Sequence, residues 1–244
     1  MANNYLNLVV TPAVSEAQQF YYGRSQKVSS ATGCDPLGPD EIAFIRSRDS
    51  FYMATVSETG WPYLQHRGGP PGFLRVLDAH TLAFADYRGN RQMLSTGNLA
   101  RDDRVSLFLM DYVQRQRLKI LGHSRVADAR VQAEVVEQLT EPKLRSVVER
   151  IFFIDVVSFD WNCPKYITPR YTVGEVEELV SPLKIRIAEL EGELSKVKNA
   201  DQQRLFTMNP RLCKEVPDAP TNGGGPLRHP RHRQRRAGEP APEK

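Results

Sequence analysis

The chain has 244 residues, of which 40% are hydrophobic and 25% charged, so it can bury one sizeable core without needing a second domain. Its net charge of +4 resides mainly in residues 216–244, where six basic side chains accompany three acidic ones; the body is therefore nearly neutral, and a nucleic-acid groove is not expected. No apolar run approaches the roughly 20 residues of a membrane span and no signal-peptide pattern opens the chain, which predicts a cytoplasmic protein without membrane association.

The first segment, residues 1–37, is predicted to be a helical or irregular extension. A helix start is indicated at Thr11, because proline follows it at the first helical position. A second amphipathic helix is predicted over residues 41–49, capped by Asp40.

Two runs rich in apolar and aromatic residues, residues 81–86 and 104–112, are predicted to be core strands. Between them the sequence predicts a turn and then a short helix capped by Asn90. Arg91 and Gln92 would then lie at a helix N-terminus, where free N–H groups and a guanidinium favour an anion such as phosphate.

The glycine-rich segment upstream could bring Arg67 and Arg75 toward the same point, because glycine lets the backbone approach a ligand closely. A rigid surface loop with solvated arginines is the alternative interpretation.

Residues 116–129 are predicted to form a strand interrupted by a bulge at Gly122. Residues 131–150 are predicted to be a helix interrupted at Pro142, followed by a buried strand over residues 151–161. Beyond Gly174, apolar residues recur at alternating steps of four and three, which is a heptad pattern. This helix could pair with a second copy or lie on its own domain.

The motifs HRGGPPGFL, ADYRGNRQ and FDWNCPKYI resemble the pyridoxamine 5′-phosphate oxidase-like family over roughly residues 36–170. The resemblance implies a mainly β fold with flanking helices, a six-stranded split β-barrel of the FMN-binding type. It also implies a homodimer with FMN at the subunit interface.

By this resemblance, the FMN phosphate would be held by Arg67 or Arg75 and by the pair Arg91 and Gln92. The family usually has lysine where Gln92 stands, so one charge is missing. The positions beside the isoalloxazine ring are expected near two residues of one strand, Ala85 and Asp86.

Further contacts are implied from other segments. Arg117 would make a polar contact with the ring, and Trp161 and Asn162 follow the strand that reaches the flavin side of the dimer. The alternative is that Trp161 covers the edge of the core and Cys163 is an inert thiol. The chain lacks the arginine-and-histidine ending of true pyridoxamine phosphate oxidases, which argues against oxidation of vitamin B6.

The predicted organisation is an extension (1–37), a flavin-binding split barrel (38–173), a heptad-patterned helix (174–200) and a linker with a disordered basic tail (201–244). The predicted function is an FMN-dependent oxidoreductase acting on a small organic substrate. The alternatives are a non-catalytic flavin-binding or interaction protein, or the same fold with deazaflavin or haem.

No catalytic residue is assigned. Tyr87, His123 and Cys163 are weak candidates for a proton donor, and His123 beside a strand break is more typical of a structural residue. The three cysteines and five histidines show no metal-site spacing, so no metal is expected.

Overall fold

Seven antiparallel strands form the sheet in the described part of this computed structural model, residues 4–28, 33–161 and 164–208. They are β1 (Ser50–Val56), β2 (Pro62–Gly68), β3 (Arg75–Asp78), β4 (Thr81–Tyr87), β5 (Arg104–Asp111), β6 (Gln116–Asp128) and β7 (Val148–Trp161). Their order across the sheet is β2-β1-β5-β6-β7-β4-β3. The expectation of six strands is wrong, because the short β3 pairs separately with β4 at the edge of the sheet.

Six α-helices accompany the sheet in the described residues: α1 (Tyr5–Val9), α2 (Pro12–Tyr22), α3 (Pro39–Arg46), α4 (Leu94–Leu99), α5 (Ala133–Leu139) and α6 (Val173–Met208). The described residues up to Glu177 form one compact unit, and those from Glu178 form another. The linker and disordered tail were predicted from residue 201, but α6 continues to Met208. The rest of that prediction, residues 209–244, lies outside the described part of the chain. No helix in that described part is long and apolar enough to cross a membrane.

The starts of two helices test the predicted caps. Thr11 does cap α2, since its side chain accepts a hydrogen bond from the backbone N–H of Val14. Asp40 does not cap α3, because the helix already begins at Pro39 behind Gly38. Glu41 reaches back instead and accepts the Gly38 N–H at 2.9 Å, so the cap is formed from inside the helix.

The central strands β4 and β7 are buried on both faces, which explains their nearly unbroken apolar sequences. On one face, Phe84 and Phe152 stack at 4.9 Å within the main core. On the other face, Ala83 and Phe153 pack in a smaller core that includes Val136 of α5. The sheet therefore separates two apolar cores.

The predicted bulge in β6 is confirmed, since its register against β7 shifts between Leu121 and Gly122. A Cβ at Gly122 would lie 2.6 Å from the carbonyl oxygen of Asp155, which is backbone and cannot move aside cheaply. Glycine is therefore required by a close approach of two strands.

The predicted helix over residues 131–150 is wrong in its second half. α5 ends at Leu139, a 3₁₀ helix follows over Pro142–Val147, and β7 starts at Val148. The reason is strand pairing: Val148 and Arg150 pair with Tyr87 and Asp86 of β4, so tertiary contacts extend the strand toward its N-terminus.

Candidate functional site

A buried ion-pair cluster joins three strands at one end of the sheet. Arg67 of β2 bonds one carboxylate oxygen of Asp86 on β4. Arg150 of β7 donates to the other oxygen from Nε and Nη2, at 2.9 and 2.6 Å. Because β2 is the far edge of the sheet, the Arg67–Asp86 pair connects strands that are separated in the strand order and helps to close the barrel.

The Arg67 side chain is only 11% exposed, and its guanidinium carbon lies 5.0 Å from the ring centre of Phe152 and 5.6 Å from that of Phe84. Burial lowers the pKa of Arg67, and the charge of Asp86 opposes this shift. The Nε atom of Arg67 is buried and has no hydrogen-bond partner among the described residues. A cationic donor in this state favours an anionic acceptor.

The loop after β4 places a further arginine beside the cluster. Arg91 adopts a left-handed conformation with φ of 58°, and Met93 does so with φ of 60°. The side-chain oxygen of Asn90 accepts the Gln92 N–H at 3.2 Å, which forms a local turn. The predicted helix cap at Asn90 is therefore wrong, and α4 begins only at Leu94.

Glu149 is the counter-ion of this loop. Arg91 donates to Glu149 Oε1 from Nε and Nη2 at 3.1 and 2.8 Å. Arg88 and Arg150 lie 3.5 and 3.4 Å from the same carboxylate. The hydrogen bond from Arg91 lowers the pKa of Glu149, with smaller contributions from the charges of the three arginines.

Within the described residues, the buried ion pairs and the charged residues of this loop together form an arginine cluster. It contains the four guanidiniums of Arg67, Arg88, Arg91 and Arg150 and the two carboxylates of Asp86 and Glu149. Its formal charge is therefore +2. The exposed fractions of Arg88 and Arg91 are 57% and 61%, so both groups can turn toward a ligand.

A cavity of about 250 Å³ lies at this cluster. Its wall includes Arg67, Asp86, Arg91, Gln92 and Arg150. A larger groove of about 1120 Å³ shares several of these lining residues and continues along β6 to Arg125 and Asp128. A small charged pocket thus adjoins a groove that is slightly larger than typical ligand sites, which are roughly 300–1,000 Å³.

The structure brings four of the sequence-predicted site residues together in the small cavity: Arg67, Asp86, Arg91 and Gln92. Ala85 is buried inside the sheet, paired with Ile151, and lines neither cavity.

Arg75 lies on the edge strand β3, outside the walls of both cavities. It approaches Tyr87 closely enough for its charge to lower the pKa of that phenol. This contribution is smaller than that of burial, so the pKa of Tyr87 is raised overall. Tyr87 itself lines the small cavity.

Arg117 and Trp161 lie at the ends of β6 and β7 that are opposite to Asp128 and Arg150. Trp161 is eleven residues beyond Arg150 on β7, about 35 Å along the strand, and β6 carries Arg117 next to Leu118, the partner of Trp161. Neither Arg117 nor Trp161 lines the small cavity or the larger groove. Asn162 and Cys163 fall outside the described residues.

Trp161 has structural contacts of its own. Its indole N–H donates to Glu41 at 2.6 Å, and its ring packs edge-on against Phe44 at 4.8 Å. These contacts fit the alternative interpretation in which Trp161 covers the edge of the core. Arg117 has a buried Nε without a hydrogen-bond partner among the described residues.

His123 forms a 2.8 Å contact with Asp103 through Nδ1. Both side chains are about half exposed. Asp103 lines the larger groove, whereas His123 does not. In the described residues, no group of three or more His, Cys, Asp or Glu side chains is arranged to hold a metal ion.

Sequence reasoning missed Glu149 and Arg150, which lie just before the apolar part of β7. It also missed Gln65 of β2, which accepts a hydrogen bond from Ser95 at 2.9 Å in the wall of the small cavity. One feature of the sequence could have identified Glu149 and Arg150 as members of an ion-pair site. Two charged residues stand directly beside a buried apolar strand, where charged side chains need partners.

Residues 39–152 match the family model described as pyridoxamine 5′-phosphate oxidase. No curated protein matches the chain.

Several solved structures are similar. A pyridoxamine 5′-phosphate oxidase assigned as such only provisionally, from Lactobacillus delbrueckii, is 18% identical, with a TM-score of 0.41 over 52% of this chain and 94% of its own. Tagged HupZ from Group A Streptococcus is 12% identical, with a TM-score of 0.40 over 55% of this chain and 100% of its own. HutZ, the heme storage protein from Vibrio cholerae, is 16% identical, with a TM-score of 0.37 over 51% of this chain and 94% of its own.

Proposed function

Because residues 39–152 belong to the pyridoxamine 5′-phosphate oxidase-like family, we propose that the chain binds FMN and acts as a flavin-dependent oxidoreductase. The fold includes flavin-binding oxidoreductases and also haem-binding proteins, so the cofactor has to be argued from the residues of the site. The observation that carries the proposal is the excess of guanidiniums over carboxylates around the small cavity.

The residues present fit a phosphate group. A phosphate monoester carries a charge between −1.5 and −2 near neutral pH, which matches the formal +2 of the cluster. Arg67 offers a buried Nε–H donor. Arg91 offers the N–H groups of its guanidinium, two of which donate to Glu149 in this structure. Gln92 adds hydrogen bonding without charge.

The larger groove gives room for the rest of the cofactor. When bound, FMN would supply transfer of a hydride or electrons between a reduced donor and a small organic substrate or oxygen. The chain holds the phosphate through Arg67 and Arg91. Tyr87 also lines the small cavity, and burial raises the pKa of its phenol.

We place the flavin at the interface of a homodimer. The family is typically dimeric, and Arg117 and Trp161 line neither cavity of their own chain. In this arrangement, Arg117 and Trp161 approach the cofactor from the second subunit. The unpartnered Nε of Arg117 is then available to the ring.

The cofactor is tested by the visible absorbance of the freshly purified chain and by the mass of the molecule it releases. The proposal expects a flavin spectrum and the mass of FMN. A haem spectrum, or the mass of a deazaflavin, would replace FMN with that cofactor.

The oxidoreductase activity is tested by adding a reduced nicotinamide without oxygen and then admitting air. Bleaching of the flavin absorbance followed by rapid recovery is expected. Flavin that stays oxidised with every donor tried, or that stays reduced in air, would instead favour a non-catalytic flavin-binding protein.

Glu149 competes with the phosphate for Arg91, so its removal should strengthen binding. Glu149→Gln is expected to tighten FMN binding roughly threefold to tenfold, because a negative charge near the phosphate is lost and three guanidiniums are released. The measurement is a fluorescence titration of the flavin-free chain. Glu137→Gln, which alters an ion pair with Arg145 outside both cavities, is the control. Weaker binding in Glu149→Gln would contradict the competition.

A further inference from the structure

Helix α6 carries a long apolar stripe that is exposed to solvent. Among its described side chains none is buried, although the helix extends over 36 residues. The exposed fraction of Ile187 is 55% and that of Leu194 is 53%. The stripe consists of Val176, Val180, Leu183, Ile187, Leu190, Leu194 and Val197.

The helix also contains residues that weaken an isolated helix: Gly174, Pro182 and Gly192. In the heptad that places Val180 at position a, these three residues occupy b, c and f. They all lie off the stripe, so the apolar seam is uninterrupted. A helix with this composition gains its stability from packing against a partner.

The apolar residues of the seam favour a coiled coil of two strands. In the two central heptads, the a positions hold Val180 and Ile187, and the d positions hold Leu183 and Leu190. Among parallel coiled coils, a β-branched residue at a with leucine at d favours two strands over three or four. After Val197 the next a position is Asp201, so the apolar seam ends there.

The charged residues beside the seam fit pairing of this helix with a second, identical helix. In a parallel pair in register, Arg186 at g faces Glu191 at e of the other helix, and Glu193 faces Lys198. Each of these attractive pairs occurs twice by symmetry. Arg186 now bonds only Glu189 of its own helix among the described residues, at 2.9 Å, and both side chains are more than half exposed.

We propose that α6 pairs with the α6 of a second copy as a parallel, in-register, two-stranded coiled coil between Val176 and Val197. The proposed coiled coil uses no residue of the arginine cluster and does not depend on a bound cofactor. The coiled coil holds two copies of the chain together through their C-terminal helices.

The test is oxidative cross-linking of the full chain with one new cysteine. Leu190→Cys places the thiol at d, where parallel helices face each other at a distance that permits a disulfide. Ile185→Cys is the matched control, because Ile185 is also exposed, at 62%, but lies at f on the outer face. The parent chain, which contains Cys34, Cys163 and Cys213, gives the background.

The expected result is an interchain disulfide in most Leu190→Cys molecules and only the parent's background in Ile185→Cys. Adding Ile187→Glu to Leu190→Cys should remove the product, whereas adding Ile185→Glu should not. Equal cross-linking at positions 190 and 185, or none at 190 above the parent, overturns the proposal. An antiparallel pair also gives no product at 190 and overturns it.

Discussion

Asp86→Asn should lower the free energy of unfolding by about 3–5 kcal/mol, the range for removing one partner of a buried ion pair. Asp86 is 7% exposed and is the carboxylate between Arg67 and Arg150, whose side chains are 11% and 15% exposed. Without its charge, two buried guanidiniums face each other with no counter-ion between them. The Arg67–Asp86 ion pair also connects β2 to β4, so its loss should weaken the closure of the barrel as well.

This expectation is measured by urea denaturation followed by far-ultraviolet circular dichroism. Glu58→Gln is the control, because it alters a single ion pair with Arg101 in which both side chains are about two-thirds exposed. Such a pair contributes about 0–1 kcal/mol. If Asp86→Asn were as stable as Glu58→Gln, the cluster would not hold the strands together.

Arg91→Ala should weaken FMN binding by about 2–4 kcal/mol, a factor of roughly 30 to 1000, because a charge-assisted contact with the phosphate is lost. Stability should change little, since the side chain is 61% exposed and pairs only with Glu149 among the described residues. The loss should be seen with FMN and be absent with riboflavin, which lacks the phosphate.

The matched control is Arg130→Ala. Arg130 lines the same large groove, but its guanidinium pairs with Asp128 and is 88% exposed. FMN affinity should therefore remain near that of the parent chain. Equal losses in the two variants would show that Arg91 contributes only general positive charge, and no loss in Arg91→Ala would remove it from the site.

The strands could be predicted because a buried strand is a short run of apolar and aromatic residues in the sequence. The runs that form β4 and β5 were identified from their apolar and aromatic residues, and Gly122 indicated the bulge in β6. The start of β7 was missed, because residues 148–150 are only partly buried and become a strand through pairing with β4. Their local sequence fits a helix equally well.

The site was predictable only in part, for two physical reasons. Asn90 can cap a helix or form a turn with its own chain, and the competition is decided by Arg91 and Met93 in left-handed conformations that the sequence does not reveal. Arg150 meets Asp86 across two strands, 64 residues apart in the chain. A single sequence does not reveal which residues on different strands pair with each other.

The resemblance to a family also added residues that do not line the cavities. It named Arg67, Asp86 and Arg91, which line the small cavity, together with Arg117, which lines neither cavity. Arg117 pairs with Met110 of β5, a position that depends on a strand register that the sequence does not reveal. The proposal of two subunits gives Arg117 a place at the cofactor.

The central claim is that the arginine cluster holds the phosphate of FMN. Its most direct test is a titration of the flavin-free parent chain with FMN and, separately, with riboflavin. FMN is expected to bind at least about 100-fold more tightly, corresponding to about 2.7 kcal/mol for the phosphate. Equal affinity for the two flavins, or binding of neither, would contradict the account.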